Sequence, residues 1–171
     1  ELKKKLEIMT ELYFAKLNPS AKIPSKEDEN AGYDIYACFE QDFIEIKPGE
    51  IKLIPTGIAS AFSSDYVLQI NERSSSGSKG LAIRAGVIDS GYRGEIFIAV
   101  NNTISKPIII AKQEVSANLD SELNLIWPYE KAIAQGLLLP VPKTKVIELS
   151  LEDLQKIDSK RGESALGASG K

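Results

Sequence analysis

The chain of 171 residues contains no histidine. Histidine-based triads, imidazole general bases and His-ligated metal centres are therefore excluded. Cysteine occurs once, at Cys38, which rules out an intramolecular disulfide and a thiolate metal cluster. A zinc nucleobase deaminase, which needs a trio of His and Cys ligands, falls with them. No apolar run approaches the roughly 20 residues of a membrane span, and the start does not read as a signal-peptide core. The expectation is no membrane partner and a soluble, cytoplasmic protein, or one in the host cytoplasm if the source is viral, with a nuclear location left open. An excess of positive charge is missing too: Lys+Arg 21 stand against Asp+Glu 24, a net charge of -3. Such a chain has no footprint for a nucleic-acid polymer, so a phosphate partner must be held by a local cluster. What remains is carboxylate, hydroxyl, Arg/Lys and backbone chemistry, joined by an oxygen-ligated ion such as Mg2+ if a metal is used.

The richest stretch in those groups runs from Arg73 to Glu95, RSSSGSKGLAIRAGVIDSGYRGE. Serine hydroxyls and glycine-permitted backbone N–H groups can surround phosphate oxygens, and Arg73 can take them bidentately. Asp89 can orient a water, with Tyr92 three residues on. Turn chemistry accounts for the same letters, because Ser/Gly runs are common in turns and Asp-Ser-Gly suits a hairpin. Both readings stand on this stretch alone.

Elsewhere the chain shows short apolar segments separated by turn residues. Strands are expected at Leu12 to Leu17, Tyr33 to Cys38, Phe43 to Ile46, Ile51 to Ile54, Ile58 to Phe62, Tyr66 to Asn71, Ile96 to Asn101, Pro107 to Ala111, Ala132 to Val141 and Lys145 to Leu149. Lys47-Pro48-Gly49-Glu50 is a turn with a mechanism, Pro fixing φ and Gly accepting a positive one. Many short strands without a long amphipathic helix argue an all-β sandwich or barrel. Residues 1–9 read as a frayed leader or cloning remnant, residues 10–149 as the β domain and residues 150–171 as a short helix followed by an arm. The polar, acidic stretch 113–130, ending in Trp127-Pro128-Tyr129, interrupts the strand rhythm and reads as an insertion loop with an exposed Trp. Ser150 with Asp153 resembles a capping box, and Leu151, Leu154 and Ile157 would line one face of a helix. The final RGESALGASGK is too poor in apolar residues to order by itself, which makes the arm flexible. Gly162 and Gly167 have P-loop spacing, but Ala168-Ser169 stands where Lys-Ser/Thr is required.

Taken in order from about Leu12 to Gly170, these pieces resemble the trimeric all-β dUTPases, the dUTP nucleotidohydrolases. The resemblance rests on AGYDIYA (Ala31 to Ala37), Arg73-Ser74-Ser75 with its glycines, GVIDSGYRGE (Gly86 to Glu95), IAQ (Ile133 to Gln135) and RGESALGASG (Arg161 to Gly170). It implies a jelly-roll-like distorted β-barrel, a homotrimer with sites at subunit interfaces, and a C-terminal arm that closes over each site. It also implies hydrolysis of dUTP to dUMP and pyrophosphate by Mg-dependent attack of an Asp-activated water on the α-phosphate. On that resemblance Asp89 is the catalytic carboxylate and Gln135 assists near phosphate and water. Arg73, Ser74, Ser75 and Arg161 hold phosphates, and Gly86, Val87 and Ile88, in a hairpin from Leu81 to Ile88, offer backbone groups to uracil. Tyr92 packs under the deoxyribose, and Asp34 holds Mg2+ through its waters.

Departures from the family pattern are specific. Glu72 stands where Pro is usual, Lys131-Ala132 replaces an acidic-then-basic pair, Gly91 replaces a common Asp, and Ser164-Ala165 replace glycines. Leu166 occupies the place of the aromatic residue that stacks on uracil. Two other readings remain open here. One is the same-fold dCTP deaminase, whose glutamate would fall at Ala99. The other is a dUTPase-like protein with a regulatory role, binding a protein partner through 113–130.

Overall fold

The structure, a computed structural model, describes residues 10–165. The expectations for the leader at 1–9, for Leu166 and for the last glycines of the arm lie outside the described residues. Two compact units divide the chain between Val141 and Pro142. No described helix is long and apolar enough to cross a membrane.

The first unit is all β apart from two one-turn helices. Its strands are β1 (Leu12–Lys16), β2 (Tyr33–Ile35), β3 (Phe43–Ile46), β4 (Ile51–Pro55), β5 (Ile58–Phe62), β6 (Tyr66–Asn71), β7 (Leu81–Arg84), β8 (Val87–Ile88), β9 (Phe97–Asn102), β10 (Ile108–Ala111), β11 (Leu125–Pro128) and β12 (Ala134–Pro140). The helical turns are α1 (Ser74–Gly77) and α2 (Gln113–Ser116). They assemble as four small sheets ordered β1-β5, β11-β10-β3, β2-β12-β6-β8 and β4-β9-β7, a jelly-roll-like barrel in which chain neighbours seldom pair. The central strands β9, from Ile98 on, and β10 are buried on both faces, and β10 accordingly reads as a continuous apolar run instead of alternating. Their side chains meet Ile35, Ile46, Ile54, Ile58, Leu68, Leu81, Ile96 and Ile133 in one core. Each such fully buried aliphatic contributes roughly 1.5–3 kcal/mol of burial free energy. The buried Asn102 is satisfied, its Nδ2 donating to the carbonyls of Ile46 and Lys106 at 2.9 and 2.8 Å, so it ties β9 to the entry of β10.

Several expectations need correction. Residues 113–130 are not a plain loop, because β11 pairs in parallel with β10, Ile110 opposite Trp127. Trp127 is 1% exposed and belongs to the core, so the exposed tryptophan expected there does not exist. Four apolar residues flanked by acidic turns hid a strand whose partner is supplied by a segment earlier in the chain. The stretch Leu81 to Ile88 is not a hairpin: β7 pairs with β9 and β8 with β6, so the connection through Ala85 and Gly86 crosses between sheets. Ala85 adopts φ 50°, the one non-glycine left-handed residue among those described, and this turns the corner. The strand expected at Tyr33 to Cys38 ends at Ile35.

The second unit carries α3 (Leu151–Gln155), capped by Ser150, whose Oγ accepts from Asp153 N at 3.1 Å. Lys145 to Leu149 form no strand, and Val146 is almost fully exposed. Alternating apolar letters there lack a neighbouring strand to pair with among the described residues.

Candidate active site

Register brings the first cluster together. β12 lies between β2 and β6, with Gln135 opposite Asp34 on one side and opposite Asn71 on the other. Residues far apart in the chain thereby share one stretch of sheet end. Beyond Asn71 the chain turns into α1, and Ser76, fully buried, stitches that turn: its Oγ accepts from Arg73 N at 3.2 Å and donates to Arg73 O at 3.3 Å. The guanidinium of Arg73 then points back over β2, with Nε 3.0 Å from Asp34 Oδ1 and Nη1 donating to Ala132 O at 3.2 Å. Gln135 Nε2 donates to Glu72 O at 2.8 Å. A methyl group on Gly32 would collide with the Gln135 carboxamide, so only glycine leaves that side chain its place.

These groups line an open polar recess of about 490 Å³ formed by Asp34, Arg73, Ser74, Ser75 and Gln135 with Glu29 to Gly32. A neighbouring recess of about 420 Å³ shares Arg73, Ser74 and Gln135 and adds Glu72, Gly77, Ser78 and Ala82. Hydroxyls, a guanidinium and a carboxamide here stand beside the carboxylates of Glu29 and Asp34, and the first three are groups that can bond phosphate oxygens. Glu29 has no local mark in the sequence; Glu72 stands out there only as a departure from the family pattern and Ala82 only as part of the Leu81 to Ile88 stretch, and the fold brings all three to these recesses.

The second cluster is built on β8. Ile70 N donates to Gly86 O at 2.7 Å, and a methyl group on Gly86 would collide with the Ile70 carbonyl, so glycine is required for this close approach to β6. Ile88 is buried opposite Leu68, and the next residue, Asp89, emerges exposed. A tight turn follows, closed by Tyr92 N donating to Asp89 O at 3.1 Å and by Arg93 Nη1 donating to Ser90 O at 2.6 Å. The Tyr92 hydroxyl donates to Glu95 O at 2.8 Å, and its ring lies so close over Gly94 that a side chain there would strike it. Val87, Ile88, Asp89, Tyr92, Glu95, Ile96 and Phe97 enclose a recess of about 260 Å³. It is smaller and more apolar-walled than the first, with two acidic residues, Asp89 and Glu95, in its lining.

The expected site residues thus fall into two groups within one chain. Asp34, Arg73, Ser74, Ser75 and Gln135 are together; Val87, Ile88, Asp89 and Tyr92 are together, with Gly86 at the turn between β7 and β8. Arg161 belongs to the second unit, where its Nε donates to Ser164 O at 2.8 Å. Among the described residues no three Cys, Asp or Glu side chains converge as a metal cage. Asp34, the carboxylate expected to carry Mg2+, is paired with Arg73 at 3.0 Å in a recess that also holds Glu29; Mg2+ is commonly held by one or two carboxylates together with water and substrate phosphates.

Comparison with known proteins agrees with this architecture. The dUTPase family model matches residues 18–119. The deoxyuridine 5'-triphosphate nucleotidohydrolase of Nautilia profundicola is 36% identical over 169 residues, covering 94% of this chain and 99% of the relative. That of Mycolicibacterium gilvum is 34% identical, covering 94% and 96%. Among solved structures, Staphylococcus bacteriophage 80alpha dUTPase with dUPNHPP superposes with a TM-score of 0.69 at 26% identity, covering 94% of this chain and 99% of that one. The chain belongs to the dUTPase family.

Proposed function

We propose that this protein hydrolyses dUTP to dUMP and pyrophosphate, with Asp89 as the base that activates water. The observation that carries the reading is Asp89 itself, an exposed carboxylate at the turn that follows the edge strand β8, at the mouth of a recess walled by Tyr92. A carboxylate within reach of a bound water can act as its general base. As that proton passes to Asp89, the water oxygen bonds to the α-phosphorus and the bridging P–O bond to the β-phosphate breaks, releasing pyrophosphate. Base assistance of roughly 10² to 10⁴ must be joined by positioning and charge stabilisation. Arg73, Ser74, Ser75 and Gln135 supply these in the polar recess, and Arg161 adds a second guanidinium. Asp34 would hold Mg2+ through water, and the ion would neutralise triphosphate charge.

Selectivity follows from the second recess. Backbone groups at Gly86 to Ile88 would pair with the uracil edge and leave cytosine's reversed donors and acceptors unmatched. Tyr92, locked by its bond to Glu95 O, would pack under the deoxyribose and leave no room for a 2′-hydroxyl. We further read the assembly as a homotrimer in which the polar recess of one chain and the Asp89 recess of another complete a site. The dCTP deaminase alternative finds no support, since Ala99 is a buried residue of β9 without a carboxylate. A protein partner at 113–130 would have to use α2 and the turn through Leu123, because Trp127 is buried.

The test is pyrophosphate release from each nucleotide in the presence of magnesium. dUTP should be turned over, with dCTP, dTTP and UTP far poorer; comparable turnover of dCTP would sink the reading.

A further inference from the structure

Glu72 links three parts of the fold. Its backbone carbonyl accepts from Gln135 Nε2 at 2.8 Å, and its carboxylate Oε1 accepts from Ile83 N at 2.7 Å. Ile83 sits on β7, the edge strand of the β4-β9-β7 sheet, where an outward N–H has no neighbouring strand to receive it. The carboxylate of Glu72 takes the place of that missing strand. The stem of the side chain is held as well, because a Cβ on Gly77 would lie 2.8 Å from Glu72 Cβ, so α1 folds back directly onto it. Glu72 precedes Arg73, and both line the recess that Gln135 closes.

We propose that Glu72 is a positioning residue for the phosphate recess, anchoring the Arg73 to Gly77 turn to β7 through its acceptor oxygen. Its charge is turned to a backbone donor instead of facing the polyanion. The inference rests on the proposed dUTPase reading for its substrate, yet it makes a claim of its own: the acceptor, and not the charge, is what the site uses. A negative charge near a triphosphate is unfavourable in itself, so a neutral acceptor of the same shape should serve at least as well.

Three variants and three ligands test this. Glu72→Ala should raise the KM for dUTP about tenfold with kcat within about threefold, the scale of losing one hydrogen bond. Inhibition by dUMP, which lacks the outer phosphates, should change by less than about twofold on the same argument. Glu72→Gln, which keeps an oxygen for Ile83 N–H, should bind dUTP as tightly as the unaltered protein or more so. Calorimetry with inorganic tripolyphosphate reads the same ranking without catalysis, so an unaltered protein inactive on dUTP would defeat the dUTPase reading while this arm still decides the role of Glu72. If Glu72→Ala does not fold, Glu72→Asp, which draws the carboxylate back by one methylene, is judged by the same criteria. Native affinity in the Ala or Asp variant, equal losses for dUMP and dUTP, or a Gln variant as weak as Ala would each overturn the proposal.

Discussion

Asp34 and Arg73 form an ion pair, Oδ1 to Nε at 3.0 Å, between β2 and the turn that follows β6. Both side chains keep about a quarter to two fifths of their surface in solvent, 26% for Arg73 and 38% for Asp34. A pair so exposed adds only about 0–1 kcal/mol to stability. Its effect is on where the guanidinium points. Asp34→Asn should therefore leave the melting temperature within a few degrees while raising the KM for dUTP several-fold, about 3- to 10-fold. A thermal melt and a substrate titration on the same sample separate the two. A large fall in melting temperature with native KM would make Asp34 a stability residue.

Asp89→Asn keeps the size of the side chain and removes the base. Turnover should fall by at least about 10²-fold while nucleotide affinity, measured by calorimetry with a non-hydrolysable dUTP analogue, stays close to native. Near-native kcat would make Asp89 a turn residue.

Gly32 is held to glycine by Gln135, not by backbone conformation. Gly32→Ala should push the carboxamide out of the recess and break its bond to Glu72 O. Activity should drop by about 10-fold or more with circular dichroism unchanged, because misplacing one positioning group has effects on that scale. An Ala variant with full activity would remove Gln135 from the site.

Trp127 fills the space between β10 and the rest of the core. Trp127→Ala should cost about 3–5 kcal/mol in urea unfolding. Leu123→Ala, on the exposed turn before it, should stay within about 0.5 kcal/mol. Equal, small effects at both would mean that β11 is only loosely attached.

Much of the β architecture was legible because punctuation marks it. Phe43–Ile46, Ile58–Phe62 and Tyr66–Asn71 begin and end where the expected apolar segments do, and Gly49 in the Pro-Gly turn has φ 78°, the positive value glycine accepts. Pairing was not legible. Nothing local reveals that Leu125–Pro128 runs parallel to β10, that β7 and β8 part into different sheets, or that Lys145 to Leu149 stay unpaired in any described ladder. The same limit applies to the candidate site. Asp34, Arg73 and Gln135 stand out through the motifs they belong to, whereas Glu72 stands out in the sequence only as a departure, and it is the 2.7 Å bond from Ile83 N that shows its carboxylate on a sheet edge.

The two recesses have no residue in common, and that separation has a consequence for mixtures of damaged chains. Arg73→Ala and Asp89→Asn would each inactivate a pure population. In the proposed trimer, where the two groups of one site come from different chains, unfolding and refolding the variants together should restore roughly a quarter of the sites, the random chance that both contributing chains are intact at the needed position. Two inert proteins would become an active one without any change in sequence.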